Sequence, residues 1–436
     1  MTLRKFKFRE PEVDSGYCWP MLAMSSIIYF LLFGTFYSYG VWLPRVMEEF
    51  NCNQEQAAWV ASIATGLLVL LALPSDLACH YFGVFNMSIC GSLLCGIGMI
   101  ISSYLQNIYH LYLSFGVLMG IGSSLLYTPT LVMMGRWFHK YQALSTTIVM
   151  VGAPSGSLVF NIITEKIMQN FKLRSVMVVY GICLMCITLV CSFGYMPFSP
   201  TFIEKRSNIE NKEEAKGQDS LEIGSGFEFR ASLLKNEAYW LYNVSRFFSV
   251  LAHYVPMFHL IKYAMTMGIS SSTASIMLAV WSGSNFIGRL GFGIFASKYR
   301  SKVPITYQIV LFMTSLVCAA AFFAETAWSL FLYCFIYGVC EGAIVGIASI
   351  LTIDLTCLRD LGAAWGIQQT INGIPTIAGP VLIGAMNDAN LFRPNFMFIF
   401  TGGTFLVSTV FMHLARTIHN RRNKISKEEE HQSQIE

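Results

Sequence analysis

The chain has 436 residues, of which 54% are hydrophobic and 12% charged, about half the charged share of an ordinary soluble protein. Its mean hydropathy is +0.53, and no soluble fold of this length hides so much apolar surface beneath a polar skin. A soluble enzyme, a secreted disulfide scaffold and a disordered chain are therefore excluded, and the formal charge of +4, with no basic stripe, points to no nucleic-acid partner.

The first residues, 1–19, are basic, with Arg4, Lys5, Lys7 and Arg9. The apolar run that follows is of full span length and carries no small-residue cleavage site, so it reads as an uncleaved first span. Spans of the length a bilayer requires are predicted at about 20–44, 57–79, 84–104, 108–134, 142–165 and 173–197. Residues 198–237 change character. Glu204, Lys205, Arg206, Glu210, Lys212, Glu213, Glu214 and Lys216 mix with Ser and Gly, which predicts a solvated, mobile linker. A second set follows at about 238–262, 272–296, 304–323, 327–353, 361–386 and 395–415, and then a polar tail over 416–436. The expected fold is an all-α membrane protein with 12 transmembrane helices.

Basic residues orient it. Arg4, Lys5, Lys7, Arg9, Arg136, Lys140, the linker, Lys298, Arg300, Lys302, Arg359 and the tail place most Lys and Arg on one side. The other side holds only Arg45, Lys166, Lys172, Arg174, Lys262 and Arg393. Both termini and the linker are therefore expected in the cytoplasm. The cysteines lie mainly inside apolar runs. Cys183 and Cys186 form a CxxC in mid-span, read as small apolar filler rather than a metal or redox pair.

The two sets of spans repeat one another. Ala143 precedes Gly152-Ala153-Pro154 by the same spacing that separates Ala364 from Gly373-Ile374-Pro375. Phe115-Gly116-Val117 resembles Tyr337-Gly338-Val339 in the same way. Two repeated halves imply two six-helix bundles around a central cavity, 20–197 and 238–415.

Ionisable residues inside a membrane are costly and mark function by default. Arg289 lies about eight residues before the charged end of its span at Lys298, hence ~12 Å deep at ~1.5 Å per residue. A guanidinium there is the natural fork for a carboxylate. Glu341, near the middle of the tenth span, is its expected partner. Arg246, near the cytoplasmic end of the seventh span, reads as a snorkelling or gate charge. Asp354 and Arg359 read as a closing contact. Gly152, Pro154, Gly373 and Pro375 allow close helix approach and bending.

The chain resembles the monocarboxylate transporter family of the major facilitator superfamily. Four segments in order carry the likeness: Asp14-Ser15-Gly16-Tyr17-Cys18-Trp19; Arg136-Trp137-Phe138-His139-Lys140-Tyr141-Gln142-Ala143-Leu144; Tyr254 to Ala264; and Gly362-Ala363-Ala364-Trp365-Gly366 with Gly373, Gly379-Pro380, Gly384 and Asp388. The resemblance implies alternating-access transport of small organic monocarboxylates across the plasma membrane. It implies that Arg289 contacts the substrate carboxylate and that Asp14 and Trp19 act in coupling or conformational change. The branch that carries aromatic amino acids and thyroid hormones has an acid like Glu341 and a histidine like His259. Tyr37, Tyr39 and Tyr127 are expected to line the cavity. The implied partners are a small organic anion or amino acid, a proton, the lipid bilayer and a single-span accessory glycoprotein. No cofactor or metal is expected.

Two departures stand out. Asn285 replaces the aspartate that precedes the eighth-span arginine in proton-coupled members, and Val41 replaces a first-span lysine. An amide carries no proton at accessible pH. Either Glu341 or His259 takes the proton, or the protein is a pH-insensitive facilitator, for instance of aromatic amino acids. A non-transporting sensor on the same fold is a further alternative. A membrane enzyme is disfavoured, because no HExxH, nucleophile elbow or phosphate loop occurs.

Overall fold

The computed structural model describes residues 14–138, 141–195, 236–356 and 361–433. Among them, helices form twelve rods. The first is broken into α1 (Cys18–Tyr37) and α2 (Tyr39–Phe50) at Ser38. The second is α3 (Gln54–Leu70) and α4 (Ala72–Phe82), bent by 55°. The third is α5 (Val84–Ser102). The fourth is the short α6 (Ile108–Leu111), a π-helical segment over Tyr112–Leu118, and α7 (Met119–Trp137). The fifth and sixth are α8 (Gln142–Asn170) and α9 (Leu173–Ser192). The second set comprises α10 (Glu237–Thr266), α11 (Ser271–Lys298), α12 (Val303–Ala321), α13 (Ala327–Leu355), α14 (Leu361–Asp388) and α15 (Phe396–Ser433).

The fold is an all-α membrane protein of two six-helix bundles. Eight helices are apolar enough over a sufficient length to cross a bilayer, and the bent pair α3–α4 makes a ninth. The other three rods, α10, α11 and α14, fall short because each turns polar side chains to the interior. Arg246, Ser249 and His253 sit on α10, Asn285 and Arg289 on α11, and Gln369 and Asn372 on α14. Buried polar faces lower mean hydropathy without exposing polarity to lipid.

Spacing between rods is set by small residues. On α13, Gly338, Gly342 and Gly346 recur every fourth residue and so share one helix face. A Cβ on them would stand 2.5, 2.2 and 2.8 Å from the backbone oxygens of Trp281, Asn285 and Arg289 on α11. Only glycine lets the two backbones approach so closely. The α11–α13 pair is accordingly among the most closely packed in the fold.

The halves meet along three seams: α3 with α14, α8 with α11, and α2 with α10. Gly373 packs on Leu70 and Gly40 on the Met257 carbonyl across them. Gly152, by contrast, packs within its own half, on the Ser26 carbonyl. One sequence expectation needs correction here. The first span is broken at Ser38, where the Ser38 hydroxyl donates to the Thr35 carbonyl. The polar tail continues α15 as far as Ser433. Cys183 and Cys186 are exposed on α9. Asp354 pairs with Arg300 at 3.3 Å; Arg359 lies outside the described residues. Most of the expected linker, and residues 1–13, lie outside them as well.

Candidate functional site

A cavity of about 110 Å3 lies between the halves. Its aromatic wall is Tyr29, Phe33, Tyr37, Tyr127, Tyr254 and Trp365. Its ionisable side chains include Arg246, His253, Arg289 and Glu341. The end of the bundle where Asp14 and the close of α15 lie is termed proximal, and the opposite end distal.

Arg289 is buried, with 4% of its surface exposed. Its Nε donates to Asn285 Oδ1 at 2.7 Å, and its Nη1 donates to the Met150 carbonyl at 2.9 Å. The first contact runs along one helix turn; the second crosses to the other half. Asn285 Nδ2 then donates to Glu341 Oε2 at 2.6 Å. Glu341 Oε1 lies 2.8 Å from His253 Nδ1. A continuous polar chain therefore runs Met150–Arg289–Asn285–Glu341–His253, with Asn285 as the insulating link between the guanidinium and the carboxylate. The amide is suited to this because it donates and accepts at once. Tyr37 caps the chain from the first bundle. Its ring lies 6.1 Å from His253 and 5.9 Å from Trp281.

Tyr127 also lines the cavity, and its hydroxyl accepts from Gln369 Nε2 at 2.9 Å across the halves. Arg246 is on the cavity wall, with only 9% of its surface exposed. Its Nη1 contacts the Tyr307 hydroxyl at 3.3 Å, and its Nε has no hydrogen-bond partner. The snorkelling reading is thus corrected: this guanidinium is buried on the cavity wall.

Two further residues lie elsewhere than expected. Tyr39 is buried at a helix contact, where its hydroxyl donates to the Ala57 carbonyl at 2.7 Å. His259 is fully buried outside the cavity wall. Its Nδ1 lies 2.6 Å from Gln54 Nε2 and its Nε2 lies 2.7 Å from the Pro380 carbonyl. The amide donates to Nδ1 and Nε2–H donates to the carbonyl, which assigns a neutral ring with no nitrogen left for a ligand.

His259 belongs instead to a distal seal. Asp388, at the end of α14, accepts from the Gln54 and Glu55 backbone amides at 3.1 and 2.7 Å. A carboxylate at a helix N-terminus satisfies free amides and meets the positive end of the helix dipole. One half thus caps a helix of the other. Gly384 packs on Glu55 beside it, and the Tyr39 and Phe258 rings meet at 5.3 Å. The cavity lies on the proximal side of this seal.

At the proximal end the Asp14 amide donates to the Trp137 carbonyl at 2.9 Å, and Trp19 packs on Phe138 at 5.5 Å and Tyr141 at 6.1 Å. These contacts tie the start of the first rod to the turn between the fourth and fifth. His253 was missed in the sequence. Its signal was present: Arg246, Ser249, Val250 and His253 fall on one face of a helix.

The family model of the Major Facilitator Superfamily matches residues 25–355 and 306–436. The chain belongs to this superfamily. Within it the chain is a divergent relative of the monocarboxylate transporters. It is 23% identical to monocarboxylate transporter 3 of Gallus gallus over 92% of this chain and 78% of that protein. It is 22% identical to monocarboxylate transporter 2 of Mus musculus over 94% and 86%, and 23% identical to monocarboxylate transporter 14 of Mus musculus over 92% and 90%. The fold is similar to that of a bacterial homolog of the human lysosomal transporter Spinster in its inward-facing and occupied conformation. The TM-score is 0.65, with 15% identity over 94% of this chain and 98% of that one. Membership makes the protein a multi-pass membrane transporter of the secondary type, working on a small-molecule substrate. Among the described residues no cluster of metal-ligating side chains occurs.

Proposed function

We propose that the protein carries small organic monocarboxylates across the plasma membrane by alternating access, with both termini in the cytoplasm and Arg289 binding the carboxylate. The observation that carries this reading is the placement of Arg289. It is a buried guanidinium on the wall of the central cavity, braced from both halves by Asn285 and Met150. A guanidinium held rigidly loses little freedom on binding a planar carboxylate. A sealed distal end with a cavity proximal to it fits one stage of an alternating cycle. The names of the similar transporters support the substrate class, and the asymmetry of Lys and Arg supports the orientation.

Cavity size favours a small acid. About 110 Å3 is less than the ~150 Å3 that encloses a benzene molecule in an engineered protein cavity. The aromatic wall favours the second reading, a facilitator of aromatic amino acids, and needs a wider conformation to hold them. Accessory help from a single-span glycoprotein follows from the family likeness alone.

Uptake of lactate, pyruvate, ketone bodies, aromatic amino acids and creatine, compared at equal surface abundance, tests the reading. Arg289→Ala should lower carboxylate uptake at least tenfold, the scale of one lost charge-assisted hydrogen bond. Undiminished uptake by that variant would overturn the assignment of Arg289.

A further inference from the structure

We infer that Arg246 is a second anion-binding position of the cavity, one that receives the substrate carboxylate at the proximal end, ahead of Arg289. The inference rests on the transport reading above and deepens it. The two buried arginines differ in how their charge is met. Arg289 is linked through Asn285 to Glu341. Arg246 has no carboxylate within ion-pair distance among the described residues. Both oxygens of Glu341 face other groups, Asn285 and His253. What remains to Arg246 is a long contact to the Tyr307 phenol, and its Nε is bare.

A guanidinium nine-tenths buried, with no carboxylate in direct contact, is costly to keep inside a membrane protein. That cost falls when an anion arrives, so the site favours ligands that bring a negative charge. Arg246 is seven residues before His253 on the same face of α10, about 10 Å along the axis. Helical side chains also lean toward the N-terminus, which here is proximal. The Arg246 guanidinium meets Tyr307 about one turn into α12, proximal to the Arg289–Asn285–Glu341 chain. The two arginines therefore act in sequence, and the carboxylate passes from one fork to the next.

The test heats the purified full-length protein with graded L-lactate, using lactamide as the uncharged counterpart and chloride to match ionic strength. Wild type should gain stability with lactate and not with lactamide. Arg246→Gln should lose that gain, with at least a tenfold weaker apparent affinity, and Arg246→Lys should keep part of it. Without ligand, Arg246→Gln should melt no lower than wild type, because it removes a buried unpaired charge. In membrane vesicles the same variant should raise KM for lactate presented at the proximal side about tenfold and leave the distal KM within twofold. An unchanged lactate response, equal effects at both sides, or a lower melting temperature without ligand would overturn the inference. If wild type moves no monocarboxylate yet retains a lactate response that Arg246→Gln abolishes, the transport reading fails and the anion site stands.

Discussion

The Asn285 amide donates to the Glu341 carboxylate at 2.6 Å while accepting from Arg289 at 2.7 Å. A neutral group thus stands between the site's cation and anion, where a carboxylate would make two acids hydrogen-bond neighbours. Two carboxylates so close cannot both ionise.

Asn285→Asp should therefore create a shared proton. Uptake by wild type should change little between pH 6 and 8, and uptake by the variant should rise several-fold on acidifying the distal side. Flux measured in proteoliposomes under an imposed proton gradient checks this, and flat profiles for both proteins would refute it.

Gly342 is fixed by a backbone. Alanine there would place a Cβ 2.2 Å from the Asn285 carbonyl, forcing α11 and α13 apart. Gly342→Ala should destabilise the protein by about 1–3 kcal/mol and lower kcat more than it alters membrane abundance. Thermal unfolding in detergent and flux per molecule provide the two readings.

Asp388 seals the distal end by capping α3 across the halves. Asp388→Ala should weaken the seal by roughly 0.5–2 kcal/mol, the range for a lost helix cap. That corresponds to about a 2- to 30-fold larger distal-open fraction. A membrane-impermeant thiol reagent applied distally should then label Val69→Cys, on the cavity wall, faster by a similar factor.

His259→Ala should behave like Asp388→Ala and unlike a substrate-site variant. Its contacts, Gln54 and Pro380, are both part of the distal contact between helices. KM for the carboxylate should stay within about twofold and the pH profile should keep its shape. A large KM change would return His259 to the binding site.

The twelve rods were legible because the bilayer demands a run of ~20 apolar residues for each, and repeated Gly and Pro marked the two halves. The break at Ser38 and the π-segment over Tyr112–Leu118 were not. Both sit inside continuous apolar runs, and packing against neighbouring rods decides them. Arg289, Glu341 and Tyr127 were legible as isolated polar groups in apolar surroundings. His259 misled because a histidine in a family-like pattern says nothing of depth. Only the fold shows that His253, nearly two turns earlier, reaches Glu341. The seal by Asp388 was invisible too, since its partners are backbone amides more than 330 positions away.

The glycine face that joins α11 to α13 has a bearing on how cargo crosses. Because these two helices interlock backbone to backbone, Arg289, Asn285 and Glu341 travel as one rigid cartridge. Their mutual geometry is the same whichever side of the membrane the cartridge faces. Among the hydrogen bonds between the halves, the one made by the cartridge's own arginine is the tether from Arg289 to Met150, which a crossing must break and remake.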